Sequence, residues 1–278
     1  MTDSRIAVLG RAVVPVTEPV LRGDDLGVLH GDGLFETLHL RAGRPWLLTE
    51  HLDRLTRAAD ALDLPLPPRA ALVELLDTIS DGWPPDVEGA LRLVCTRGPE
   101  GGGGTTVYAT LAEVPATARR ARRTGIDVVT LPLGVTATGR PELGWLPTGV
   151  KSTSYAASSA ARRFVARTGA DDALWVSTDG YVLEGPTANV VWMTGGTLCT
   201  VPADATGILP GVTARWLLDQ APALGLTADE RMVTPEQLRA ADAAWLTSSL
   251  RGAAPIRTLD THPLPYRAFP LPGLHPPG

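Results

Sequence analysis

Apolar positions come in short alternating runs at first and then recur at helical spacing, a pattern that predicts strands and helices mixed along the whole chain. Residues 6–21 read as short strands broken by Pro15 and Pro19. A longer strand begins in Gly31-Asp-Gly-Leu-Phe-Glu36-Thr-Leu-His-Leu40, turns at Ala42-Gly43 and returns over 45–48. Leu52, Leu55, Ala58, Ala59 and Leu62 then share one helical face, with Thr49 as the expected N-cap. A second helix over 70–79 and strands over 90–96 and 106–112 follow. The loop between those strands holds four consecutive glycines, Gly101 to Gly104, and is expected to be mobile or to close over something.

Residues 116–124 are polar, arginine-rich and bounded by Pro115 and Gly125, the pattern of a connector. The predicted organisation is a smaller N-terminal α/β domain over 1–117, a linker over 118–124, and a larger C-terminal domain over 125–278. Beyond the connector the pattern predicts a strand over 126–131, a proline- and glycine-rich stretch up to Lys151, and a helix over 154–168 ended by Gly169. A hairpin follows, with arms over 173–176 and 181–184 around Asp179-Gly180, then strands over 189–193 and 197–201 around Gly195-Gly196. A helix from Gly211 to about 223, strands over 227–233, 243–248 and 255–259, and a short helix after Pro235 complete the second half. The proline-rich tail from His262 is expected to lie outside the core. No internal repeat is visible.

Composition narrows the class. With 278 residues, 44% hydrophobic and 20% charged, the chain can bury a full core in one large or two modest domains. A formal net charge of −5 argues against nucleic acid or an anionic membrane as the main partner. Cys95 and Cys199 sit far apart in apolar runs, which predicts two buried thiols in a reducing compartment and no disulfide or metal-ligand framework. No apolar run approaches the roughly 20 residues that span a bilayer, and the N-terminus lacks a signal pattern, so a cytoplasmic location is expected.

The charge inventory also picks out one residue. Lysine and arginine total 25, and Lys151 is the only lysine. Arginine has been accepted wherever a positive charge was enough, so Lys151 is expected to do what a guanidinium cannot: lose its proton and join a carbonyl as a Schiff base. The alternative is a surface lysine left over in an arginine-biased chain. A Schiff-base lysine implies either a carbonyl substrate or pyridoxal phosphate, and the second requires a carboxylate for the pyridine nitrogen and a phosphate pocket. Glu184 could supply the first. Gly207-Ile-Leu-Pro-Gly211-Val-Thr213, feeding into a helix, could supply the second, with hydroxyls from Thr247-Ser248-Ser249 and charge from Arg54.

Five motifs in order, Gly31-Asp-Gly-Leu-Phe-Glu36-Thr, Glu50-His-Leu-Asp-Arg54, Val150-Lys151-Ser, Leu183-Glu184-Gly185 with Asn189, and Leu209-Pro-Gly211-Val-Thr213, resemble the class IV aminotransferases. The resemblance runs from about residue 20 to 260. It implies an α+β, two-domain, type IV pyridoxal-phosphate fold of the D-amino-acid aminotransferase kind, with a barrel-like sheet in the larger domain, and a homodimer. It implies Lys151 as Schiff-base lysine and general acid/base, and Glu184 as pyridine-nitrogen partner. Arg54, Gly211, Val212, Thr213, Ser248 and Ser249 would hold the phosphate. Tyr155 lies four residues after the lysine, where branched-chain members carry a tyrosine five after it, so cofactor contact and core packing stay open for it.

Within the family the chain looks most like the 4-amino-4-deoxychorismate lyases, which release pyruvate and leave 4-aminobenzoate, a folate precursor. D-Amino-acid aminotransferases share Thr96-Arg97-Gly98 but continue into an Arg-x-His carboxylate trap, where this chain has Pro99-Glu-Gly-Gly-Gly-Gly104. A transaminase of D-amino-acid, branched-chain or R-amine type is the alternative, and a non-catalytic relative need not have kept Lys151. A substrate with two carboxylates calls for arginines, for which Arg97 and Arg251 are the candidates. His30 and Glu36 are candidates for the substrate side, with structural hydrogen bonds as their other reading.

Overall fold

The computed structural model describes residues 4–271 and 274. It divides into two compact units, one of residues 1–115 with 150–155 and the other of 116–149 with 156–278. Lys151 is thus grouped with the first unit, although in the chain it follows the start of the second.

The first unit contains β1 (Arg5–Val8), β2 (Val13–Pro15), α1 (Leu26–Leu29), β3 (Gly33–Arg41), β4 (Arg44–Pro45), α2 (Leu48–Ala61), α3 (Arg69–Ser80), β5 (Gly89–Thr96) and β6 (Thr106–Glu113). Its strands form one antiparallel sheet in the order β2-β1-β6-β5-β3-β4. Leu52, Leu55, Ala58 and Ala59 of α2 and Leu72, Leu75, Leu76 and Ile79 of α3 are buried in one cluster with Leu38, Leu91 and Leu111 of the sheet. Each such leucine contributes about 1.5–3 kcal/mol by leaving water.

The α2 boundary differs from expectation. The strand after the Ala42-Gly43 turn stops at Pro45, and Leu47, at φ 55°, turns the chain so that the helix begins at Leu48 without a side-chain cap. Thr49 therefore sits inside the first turn. The glycine loop is tied at its base: Leu26 N donates to Gly98 O at 2.8 Å and Glu100 N to Asp24 O at 2.9 Å.

The second unit contains α4 (Ala116–Thr124), β7 (Ile126–Pro132), α5 (Ala156–Thr168), β8 (Asp172–Val176), β9 (Asn189–Thr194), β10 (Thr197–Thr200), α6 (Ala203–Thr206), α7 (Val212–Gln220), β11 (Thr227–Glu230), α8 (Pro235–Arg239), β12 (Ala243–Ser248), β13 (Gly252–Leu259) and β14 (His262–Pro263). Its sheet runs β11-β10-β9-β12-β13-β7-β8, with β14 on β13. The parallel pair β7 and β8 requires a crossover, which contains α5. The hairpin of β9 and β10 turns on Gly195 and Gly196, at φ 54° and 78°, where a tight turn needs left-handed residues.

Three expectations change here. Residues 118–124, read as a linker, belong to α4, because Ala121 and Arg122 are buried and the Arg122 guanidinium bonds the carbonyl of Leu250. The arm over 181–184 is no regular strand; it is held to β8 by Trp175 N to Glu184 O and Leu183 N to Trp175 O, both 2.8 Å. The proline-rich tail contributes to the core, since Leu264, Phe269 and Leu274 are buried. Phe269 packs edge-on against Trp245, whose indole N–H reaches Arg267 O at 2.8 Å. No helix among the described residues is long and apolar enough to cross a membrane.

Candidate active site

Lys151 lies on a short segment laid against the start of β3. Phe35 N donates to Lys151 O at 3.0 Å, Thr153 N donates to Gly33 O at 2.8 Å, and Leu34 stands opposite Ser152. The approach explains the Gly-Asp-Gly sequence: Gly31 has φ +68°, and a Cβ there would lie 2.7 Å from Ser154 Oγ and 3.0 Å from its Cα. The half-buried Lys151 side chain directs Nζ to 4.5 Å from the ring centre of Phe35 and 5.8 Å from that of Tyr155. The two rings meet edge to face, 5.2 Å apart at 76°.

Beneath this segment, β3 and α2 bury a charged cluster. Arg54 binds Glu36 through both its Nε (2.8 Å) and Nη2 (2.6 Å), and His51 Nδ1 meets Glu36 Oε2 at 2.7 Å. Glu36 and Arg54 are 1% and 4% exposed, so neither charge could persist alone. Burial, the largest single influence on Glu36, works to raise its pKa; Arg54 and His51 together outweigh it and hold the carboxyl at about 2. Burial pushes the His51 imidazole below its ordinary range, with Arg54 and Lys151 acting in the same sense and Glu36 acting against them. The sequence reading missed His51. It lies three residues before Arg54, which puts both on one helix face.

In the second unit, Glu184 ends the arm tied to β8, and its Oε2 accepts from Leu209 N at 3.1 Å. Asn189, the first residue of β9, donates from Nδ2 to Leu209 O at 2.8 Å. The loop before α7 is therefore pinned by a carboxylate on one side and an amide on the other. Gly211 is the N-cap of α7, and a Cβ there would come within 1.9 Å of Asn189 Oδ1. Thr213 lies in the first turn of α7, 3% exposed, and its Oγ1 is buried with no hydrogen-bond partner among the described residues. A buried hydroxyl left unbonded beside the free N–H groups of a nine-residue helix can donate to an anionic oxygen. Ser248 ends β12 and Ser249 follows in the turn; both are partly buried.

The arginines named for carboxylate recognition are engaged in bracing. Arg97 donates from Nε to Asp32 at 2.6 Å, from Nη1 to Asp63 O at 3.0 Å and from Nη2 to Leu62 O at 2.9 Å. Arg251 binds Asp172 at 2.5 Å and Thr187 Oγ1 at 3.2 Å. Glu36 is committed to Arg54 and His51 through its carboxylate oxygens. His30 is exposed and closes α1, donating its N–H to Leu26 O. Cys95 and Cys199 are free and buried, and burial pushes the Cys95 thiol up to about 12, out of reach of ordinary thiolate chemistry.

Comparison with known proteins converges on one family. The family model "Amino-transferase class IV" matches residues 33–259. A bifunctional aminodeoxychorismate lyase / D-amino acid transaminase of Mycobacterium tuberculosis is 41% identical over 255 residues, covering 89% of this chain and 88% of that protein. Among solved structures, a hypothetical aminotransferase from Mycobacterium tuberculosis, in its PLP-bound form, superposes with a TM-score of 0.91 at 40% identity, covering 95% of this chain and 93% of the other. A fold IV-transaminase from Curtobacterium pusillum gives a TM-score of 0.89 at 36% identity, covering 95% of each. The fold is that of the type IV aminotransferases, and the chain is an enzyme of the class IV amino-transferase family.

Proposed function

We propose that the protein is a pyridoxal-phosphate-dependent 4-amino-4-deoxychorismate lyase that releases pyruvate and leaves 4-aminobenzoate. The observation that carries the cofactor assignment is the α7 cradle, where the unbonded Thr213 hydroxyl and the helix N-terminus offer donors to a phosphate dianion while Glu184 is locked by Leu209 N. The likeness to a relative named for the lyase supports the choice of reaction.

Pyridoxal phosphate, when bound, supplies an aldehyde that an amine can join and a ring that takes up electrons. The chain supplies the rest. Lys151 would offer its amine as the covalent tether and, as a free amine, would take the proton from the substrate's ring C4. Glu184, with one oxygen fixed by Leu209 N, would supply the carboxylate that keeps the pyridine nitrogen protonated. Val212, Thr213, Ser248 and Ser249 would provide N–H and O–H donors for the phosphate, with Arg54, its charge countered by Glu36, as a further anchor. Arg97 and Arg251 brace the segments they bridge, and with His30, at the exposed end of α1, they are the candidates for the substrate side. Tyr155 is the aromatic partner of Phe35.

A second reading, D-amino-acid transamination, is favoured by the same relative, whose name joins both activities. Purified protein given aminodeoxychorismate alone should yield pyruvate and 4-aminobenzoate with no keto acid present. Amino-group exchange between a D-amino acid and a keto acid, with no 4-aminobenzoate from aminodeoxychorismate, would replace the lyase reading by the transaminase one. The assembly proposed is a homodimer, and sedimentation at the mass of a single 29.3 kDa chain would refute it.

A further inference from the structure

Phe35 has no part in the chemistry above, yet its ring lies closer to the Lys151 amine than that of Tyr155 does. Nζ of Lys151 lies 4.5 Å from the ring centre, well inside the roughly 6 Å over which an aromatic face attracts a cation. Phe35 is 8% exposed and its backbone N–H holds the Lys151 carbonyl at 3.0 Å, so ring and amine are carried by directly bonded segments. Tyr155 closes against the same ring edge to face and brings its own centre to 5.8 Å from Nζ.

We propose that Phe35 is a positioning residue for Lys151, its ring face with Tyr155 forming a seat that holds the amine in its ammonium form when it carries a proton. The inference rests on the reading of Lys151 as the reacting amine. A proton taken from substrate carbon converts –NH2 to –NH3+, adding one positive charge, and delivering that proton restores –NH2. The negative face of an aromatic ring favours the charged half of this cycle without binding the proton itself. A carboxylate in its place would compete for the proton. Among the charged and titratable groups on the adjoining elements are Glu36 and His39 on β3, His51 and Arg54 on α2, and Arg92 and Cys95 on β5. His51 and Arg54 each bond Glu36, and the Arg92 guanidinium stands 5.4 Å from the Phe35 ring centre.

A single-lysine chain makes the test direct, because 15N-lysine labelling of the full cofactor-free protein gives one side-chain amine signal. Phe35→Leu keeps apolar bulk and removes the π face, and is expected to lower the titration midpoint of that signal by about 0.5–1 pH unit. Phe35→Tyr, which keeps the face, should leave the midpoint near wild type. A trifluorinated phenylalanine at position 35 keeps the shape while weakening the face, and should lower the midpoint even if the leucine variant does not fold. In the loaded enzyme, Phe35→Leu should lower kcat and enlarge the isotope effect of C4-deuterated substrate, with KM held within about 2-fold. An unchanged midpoint in the fluorinated protein overturns the proposal. Failure of Lys151 to be trapped on the cofactor would overturn the underlying reading instead, and the amine titration distinguishes the two.

Discussion

At the scale of single residues, two buried groups carry opposite expectations. Thr213 holds a hydroxyl with no partner among the described residues, so Thr213→Val should leave the cofactor-free fold as stable as before or more so, while weakening pyridoxal-phosphate binding about 5–20-fold, read by absorbance titration. Glu36 is the reverse case, since every oxygen is used and a second charge depends on it. Glu36→Gln leaves Arg54 short of a counter-charge and should cost about 3–5 kcal/mol in urea unfolding at pH 7. The folded carboxyl sits at about 2 against an ordinary 4.5, so its contribution is complete above pH 4.5 and lost as pH falls through 2. The denaturation midpoints of wild type and Glu36→Gln should therefore converge over that window, and a gap that stays constant down to pH 2 would contradict the assignment. The sequence singled out Lys151, Glu184 and Thr213 as candidates, but it could not show that Arg54 spends two nitrogens on Glu36. That pairing joins a strand to a helix 18 residues away, and a motif records which residues are present without recording which of them bond.

At the scale of elements, strands and helices were legible wherever apolar spacing was regular. The apolar face of α2 and the turn between β9 and β10 follow from spacing and from paired glycines, because both are settled locally. Boundaries set by distant partners were not legible. The α4 segment looks like a solvated connector from its arginines, yet Arg122 is drawn into the second unit by the Leu250 carbonyl, 128 residues on. Phe269 and Leu274 look like tail residues until Trp245 receives the former. The loop before α7 depends on close approach, which gives a test at this scale. Gly211→Ala would push a methyl onto Asn189 Oδ1 and shift the helix start, and should weaken cofactor binding at least about 10-fold while thermal unfolding of the cofactor-free chain moves only a few degrees.

At the scale of the whole molecule, the order of five short motifs was more informative than any one of them, because each is an ordinary glycine turn or helix start until the others accompany it. The family match over residues 33–259 and the likeness to solved type IV structures follow that order. The contact grouping of 150–155 with the first unit was hidden from a linear reading, since it arises from backbone bonds to β3 that no local pattern encodes. Lys151→Ala should abolish turnover by at least about 10³-fold with the fold retained, read by single-turnover kinetics and circular dichroism. The most direct test of the account is chemical: reduce the cofactor-loaded enzyme with borohydride, digest it, and map the pyridoxyl group by mass. The account predicts the group on the peptide containing Lys151, and a reduced holoenzyme with Lys151 unmodified would contradict it.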